Sequence, residues 1–132
     1  MKIQHHKEKI GRFERTIAKL DKHEDSETLI EDYMLTSSHF INAAMYKLGT
    51  LREDKDIKHN NIFGFLKREH GLKDYSEEVA NLIQQIEQLR PSYVYGKGKN
   101  GEMVQKAKEA FNKIKSICNS ILKNERKSYN SN

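Results

Sequence analysis

Apolar residues in this chain recur at intervals of three and four, and no clean period-two run of β-branched residues extends past four positions. The first spacing marks one face of an α-helix, whereas alternation would have marked a half-buried strand. Ile3, Ile10, Phe13, Ile17 and Leu20 form the first stripe and predict a helix over 3–22. Asp25 or Ser26 then stands where an N-cap belongs. Ile30, Tyr33, Met34, Ser37, Ile41, Ala44, Met45 and Leu48 predict a second helix over 27–48, with Gly49 as its stop. A charged connector, 50–58, leads to a short helix over 60–70 that carries Ile62, Phe63 and Leu66 and ends at Gly71. Ser76, followed by Glu77 and Glu78, opens a fourth helix with the stripe Val79, Leu82, Ile83, Ile86 and Leu89. Pro91 interrupts it, because the ring removes an N–H from the ladder. Asn100 caps a last helix over 101–124, striped by Met103, Ala107, Ala110, Phe111, Ile114, Ile117, Cys118 and Ile121.

These stripes predict an all-α, up-and-down bundle of four to five helices. The domain spans 1–124 and the polar tail 125–132. With 132 residues the chain is one domain in size and can bury a core unaided. Its charged share, 33% against 36% hydrophobic, suits helices that each bury one stripe and solvate the rest. One cysteine, Cys118, allows no internal disulfide and fits a reducing, cytoplasmic setting as a buried structural thiol. The N-terminus lacks the apolar stretch of a signal peptide, and no run approaches the ~18–20 apolar residues of a membrane span. A net charge of +5 permits a polyanionic partner without requiring one.

The second helix is apolar nearly all round. Leu35, His39, Asn42, Ala43 and Tyr46 line its far side, which is poor in charge for a solvated face. Such a helix is central or at an interface. The expectation is both: a central position in the bundle, and a homodimer formed through 27–48.

The end of the fourth helix carries the chemistry. Arg90 falls on the face of Val79, Ile83 and Ile86, so the core stripe runs into a guanidinium. A guanidinium there must be paired or snorkel to the helix end. Tyr93 and Tyr95 follow, and then Lys97 and Lys99 in a glycine-rich GKGKNG segment ahead of a helix N-terminus. Tyrosines beside an arginine can stack on bases and bond phosphate, or simply close the bundle end. The glycine segment does not match a P-loop and has no strand before it. The six histidines form no metal motif, and no metal or cofactor is expected. His59 is the strongest helix-cap or site histidine of the set, and Asn42 joins the candidate ligand contacts.

YMLTSSHFINAAMYKLG, DIKHNNIFGFLKRE, LIQQIEQLRPSYVYG and the closing helix from Met103 to Leu122 together resemble the HEPN superfamily of nucleotide-binding helical domains. The likeness covers most of 25–122. It implies an up-and-down bundle and, for many members, dimers that place an Arg…His motif from both subunits in a shared cleft. A subset cleaves RNA there without metal. Arg90 matches the motif's arginine, but no histidine follows it. Tyr95 stands within the expected spacing, and Pro91 occupies a place often held by Asn or Asp. Arg90 and Tyr95 are thus the candidate catalytic pair, and the missing imidazole argues against cleavage, since tyrosine titrates only near ~10.

The leading expectation is a non-catalytic HEPN-like module that holds a nucleotide, RNA or other phosphorylated ligand through Arg90, Tyr93, Tyr95, Lys97 and Lys99. One alternative is a metal-independent ribonuclease of toxin–antitoxin type, with Tyr95 or His59 replacing the absent histidine and a nucleotidyltransferase as partner. Another is a dimeric helical adaptor in which Arg90 only caps a helix.

Overall fold

The computed structural model describes residues 1–92 and 101–124. They form five α-helices: α1 (Ile3–Ile17), α2 (Ser26–Leu48), α3 (His59–Glu69), α4 (Ser76–Ser92) and α5 (Gly101–Lys123), with a 3₁₀ turn at Lys73–Tyr75. There is no strand among the described residues. No described helix is long and apolar enough to cross a membrane.

The expected stripes of α2, α4 and α5 supply most of the core, and that of α1 adds Ile10. Ile30, Met34, Ile41 and Met45 of α2 meet Val79, Ile83 and Ile86 of α4 and Ala107, Phe111 and Ile114 of α5 in one buried cluster. Tyr33 and Phe111 pack with ring centroids 5.2 Å apart. Cys118 is fully buried in this cluster, and burial pushes its thiol well above the usual range. It is a packing residue, as its place on the stripe implied.

α2 is the central helix and packs against α1, α3, α4 and α5. From residue 29 to residue 48 every residue is buried or half-buried. The far face offered as a dimer surface is covered from within the chain. His6 of α1 packs on Tyr46, Phe13 of α1 lies against His39, and the connector bonds to Asn42. A dimer through 27–48 therefore loses its motivation: the low charge of that face reflects intramolecular burial.

Helix ends show where local chemistry overrides periodicity. Gly49 sits at φ 76° as C′, with its N–H on the Tyr46 carbonyl and the Thr50 N–H on that of Met45, a Schellman closure. α1 stops at Ile17, short of the expected residue 22. The Asp21 carboxylate accepts the N–H groups of Glu24 and His23 and turns the chain there, and these bonds hold the carboxyl below its ordinary range. Neither Asp25 nor Ser26 caps α2 with its side chain. Asp25 accepts the Asp21 N–H, and the Ser26 hydroxyl donates to the carbonyls of Lys22 and His23. Likewise, Ser76 accepts the Leu72 N–H at 2.8 Å and so closes the 3₁₀ turn into α4. α3 ends on His70 in the left-handed region rather than on Gly71. Gly71 serves a different need: a Cβ there would strike the Met45 sulfur and the Phe65 ring. α4 ends at Ser92, one residue past Pro91.

Candidate functional site

Arg90 lies in the last turn of α4, on the side that faces α2. Its Nε–H donates to Glu31 Oε1 of α2 at 2.5 Å, and its Nη1–H donates to Glu87 Oε2 at 3.0 Å. Glu87 is one turn back on the same helix, where i and i+3 side chains meet. The other Glu87 oxygen lies 3.2 Å from Nδ1 of His59, the first residue of α3. Glu31 and Glu87 thus flank Arg90, and Glu87 bridges to an imidazole carried by a different helix.

This network is half open. The side chains of Arg90 and His59 are 30% and 33% exposed, and those of Glu31 and Glu87 are 39% and 24% exposed. Pairing of this kind in partial solvent contributes about 1 kcal/mol or less per pair. The Glu31 bond raises the Arg90 pKa further above its already high value, with Glu87 adding to it against partial burial, so the guanidinium stays charged. Carboxylates only accept, so His59 Nδ1 carries the proton toward Glu87 and Nε2 is the nitrogen turned away from it. A carboxylate that fixes a histidine's tautomer and orientation is a familiar support for acid–base or ligand-binding imidazoles. A cation beside it can take a phosphate oxygen.

The structure brings together two of the proposed site residues, Arg90 and His59. His59 is linked to Arg90 through Glu87, and it comes from α3 rather than from the segment after Arg90. Asn42 is not in the site. It is 2% exposed and its amide is fully engaged: Oδ1 accepts the Ile57 N–H at 2.8 Å, and Nδ2 donates to the carbonyls of Ile57 and Ser38. It acts as a clamp on the connector, two residues ahead of His59, and so sets where α3 begins. Tyr93, Tyr95, Lys97 and Lys99 lie outside the described residues.

Glu31 and Glu87 were absent from the sequence-derived set. Glu87 had a signal, its i,i+3 spacing to Arg90; Glu31 had none, since only the packing of α2 on α4 places it. A separate groove of about 340 Å³ runs between α4 and α5, lined by Leu82, Gln85, Gln88, Leu89, Lys106 and Lys113 among others. None of the proposed site residues lines it. Compared with protein-family models, curated proteins and solved structures, the chain has no match.

Proposed function

We propose that this chain is a HEPN-like helical module that holds a phosphorylated ligand, a nucleotide or an RNA strand, at the Arg90–Glu87–His59 face without cleaving it. One observation carries the reading: Arg90 and His59, distant in sequence, converge on the two oxygens of one carboxylate at a half-open helix end. A helix-end arginine that merely capped α4 would need no imidazole on α3. The guanidinium offers charge and directed N–H groups to a phosphate, and the flanking carboxylates accept hydrogen bonds from ribose hydroxyls or base amines.

The test is binding of ATP and of a short fluorescent single-stranded RNA, with Arg90→Ala and Glu31→Gln side by side. Arg90→Ala should weaken affinity by about tenfold or more while leaving the helical circular dichroism intact. Glu31→Gln removes an anion that competes with phosphate for the same guanidinium, so affinity should rise. Unchanged binding in both variants would sink the assignment.

The His59–Glu87 bond favours a second reading, a metal-independent ribonuclease of toxin–antitoxin type with a nucleotidyltransferase partner. In it His59 Nε2 moves a proton at the attacked phosphodiester and Arg90 steadies the phosphate. Cleavage of single-stranded RNA in EDTA that disappears in His59→Ala would promote this reading over the first. Intact RNA at high protein concentration would retire it.

A further inference from the structure

A second imidazole cluster, unconnected with Arg90, fastens α1 to the bundle. His6 is buried and its ring lies between two partners. Its Nδ1 stands 2.8 Å from His39 Nδ1 of α2, and its Nε2 stands 3.1 Å from Asp56 Oδ1 of the connector. The tautomers follow from elementary bookkeeping. A carboxylate can only accept, so His6 Nε2 carries a proton. Neutral His6 then presents a lone pair at Nδ1, and His39 must donate its own Nδ1–H. The contact between the two rings accommodates one proton and no more.

α1 also packs Ile10 into the core and lays Ile17 against it, so the histidine pair is one of several ties. Its only fully buried side chains are His6 and Ile10. Phe13 packs half-buried against His39, and Glu14 pairs with Lys115 of α5. The charged and titratable groups that face the pair are few. Lys9 approaches from α1 itself, Asp56 from the connector, and the Met1 ammonium shares Asp56 with His6 and also meets Glu53. From α2 the Tyr46 ring lies 5.4 Å from His6.

We propose that the His6–His39 pair is an acid-operated latch that keeps α1 docked while both rings are neutral and releases it when they take up protons. A first proton can sit at His6 Nδ1 if His39 turns to its Nε2–H tautomer, but a second leaves an N–H on both Nδ1 atoms and sets two donors against each other across 2.8 Å. A charged His39 is a half-buried cation beside Lys9 and a charged His6. With both rings charged, Asp56 bonds only the His6 ring while α1 stays in place. Burial holds both rings below the ordinary histidine range, His39 at about 4, so docking and protonation compete.

The test is amide hydrogen exchange on the whole chain, corrected for the intrinsic pH dependence, at about pH 7 and about pH 4.5, alongside an NMR titration of the two rings. Protection of the α1 amides should fall on the order of a hundredfold while that of α5 is kept, and the fall should track protonation of His6 and His39. His39→Gln still donates to His6 Nδ1 but cannot take a proton, so its α1 loss should shrink to about a tenth of that in the wild type. Three results would overturn the latch: α1 and α5 losing protection together, α1 staying protected after both rings charge, or an undiminished loss in His39→Gln. If that variant does not fold, the wild-type titration alone decides the matter.

Discussion

Two clusters in this molecule are built from the same parts and come out differently. At the α1–α2 contact an imidazole meets a carboxylate and a second imidazole; at the α3–α4 end an imidazole meets a carboxylate and a guanidinium. The His6 side chain is 2% exposed, whereas that of His59 is 33% exposed. Burial makes the first cluster a closed link in which His6 Nε2 donates to Asp56 and the two Nδ1 atoms share one proton. Partial solvation lets the second exchange partners cheaply, as a binding face must. The lesson is that the composition of a polar cluster does not set its role; access to water does.

The sharpest way to break this contrast is to delete an imidazole from each side. His6→Ala leaves His39 and Asp56 without their shared partner and opens a void under α1, which should cost about 3 kcal/mol of unfolding free energy. His59→Ala removes one half-exposed pair and should cost less than about 1 kcal/mol. Urea unfolding of the two variants measures both, and equal costs would erase the distinction.

Acid sharpens it next. Burial holds His6 and His39 below the ordinary histidine value of 6.5, with His39 at about 4. The unfolded chain therefore binds more protons than the folded one in that interval. The stability contributed by the neutral pair is fully present above pH 6.5 and is lost as pH falls toward about 4. The loss should be about 2 kcal/mol or more, read from urea midpoints at a series of pH values. His39→Gln should flatten that slope, whereas Arg90→Ala should leave it in place, because the guanidinium does not titrate there.

The sequence carried the bundle because helical periodicity survives without knowledge of neighbours. Every stripe from Ile30 to Ile121 reappears in the core. It carried less at the helix ends, where single contacts decide. The Asp21 turn shortens α1, and the tight approach to Met45 claims Gly71 and leaves the left-handed position to His70. The apolar far side of α2 was legible, but its cover was not, because the path of α1 over Tyr46 is a tertiary fact. At the site, Arg90 was legible from its place on the core stripe. Glu31 was not, because helix packing brings it in, nor was the convergence of His59 on Glu87, because it depends on a connector that Asn42 pins from another helix. A missing motif histidine after Arg90 therefore says little about which imidazole lies near it in space.

Smaller effects separate a binding face from a mere clamp at Arg90. Arg90→Ala should lower stability by only about 1 kcal/mol, since its pairs are a third exposed, yet weaken RNA or ATP binding by about tenfold or more. Binding in the wild type should also weaken as salt rises. Glu31→Gln is the finest probe. If the Glu31 carboxylate only ties α2 to α4, losing its charge costs a few tenths of a kcal/mol and does nothing else. If Arg90 is there to meet a phosphate, the same change frees the guanidinium from its nearest anion. Stability then falls slightly while affinity rises by about threefold, and that opposition of signs is something a clamp alone does not produce. A parallel fall in both would mean that Glu31 positions Arg90 for the ligand rather than competing with it.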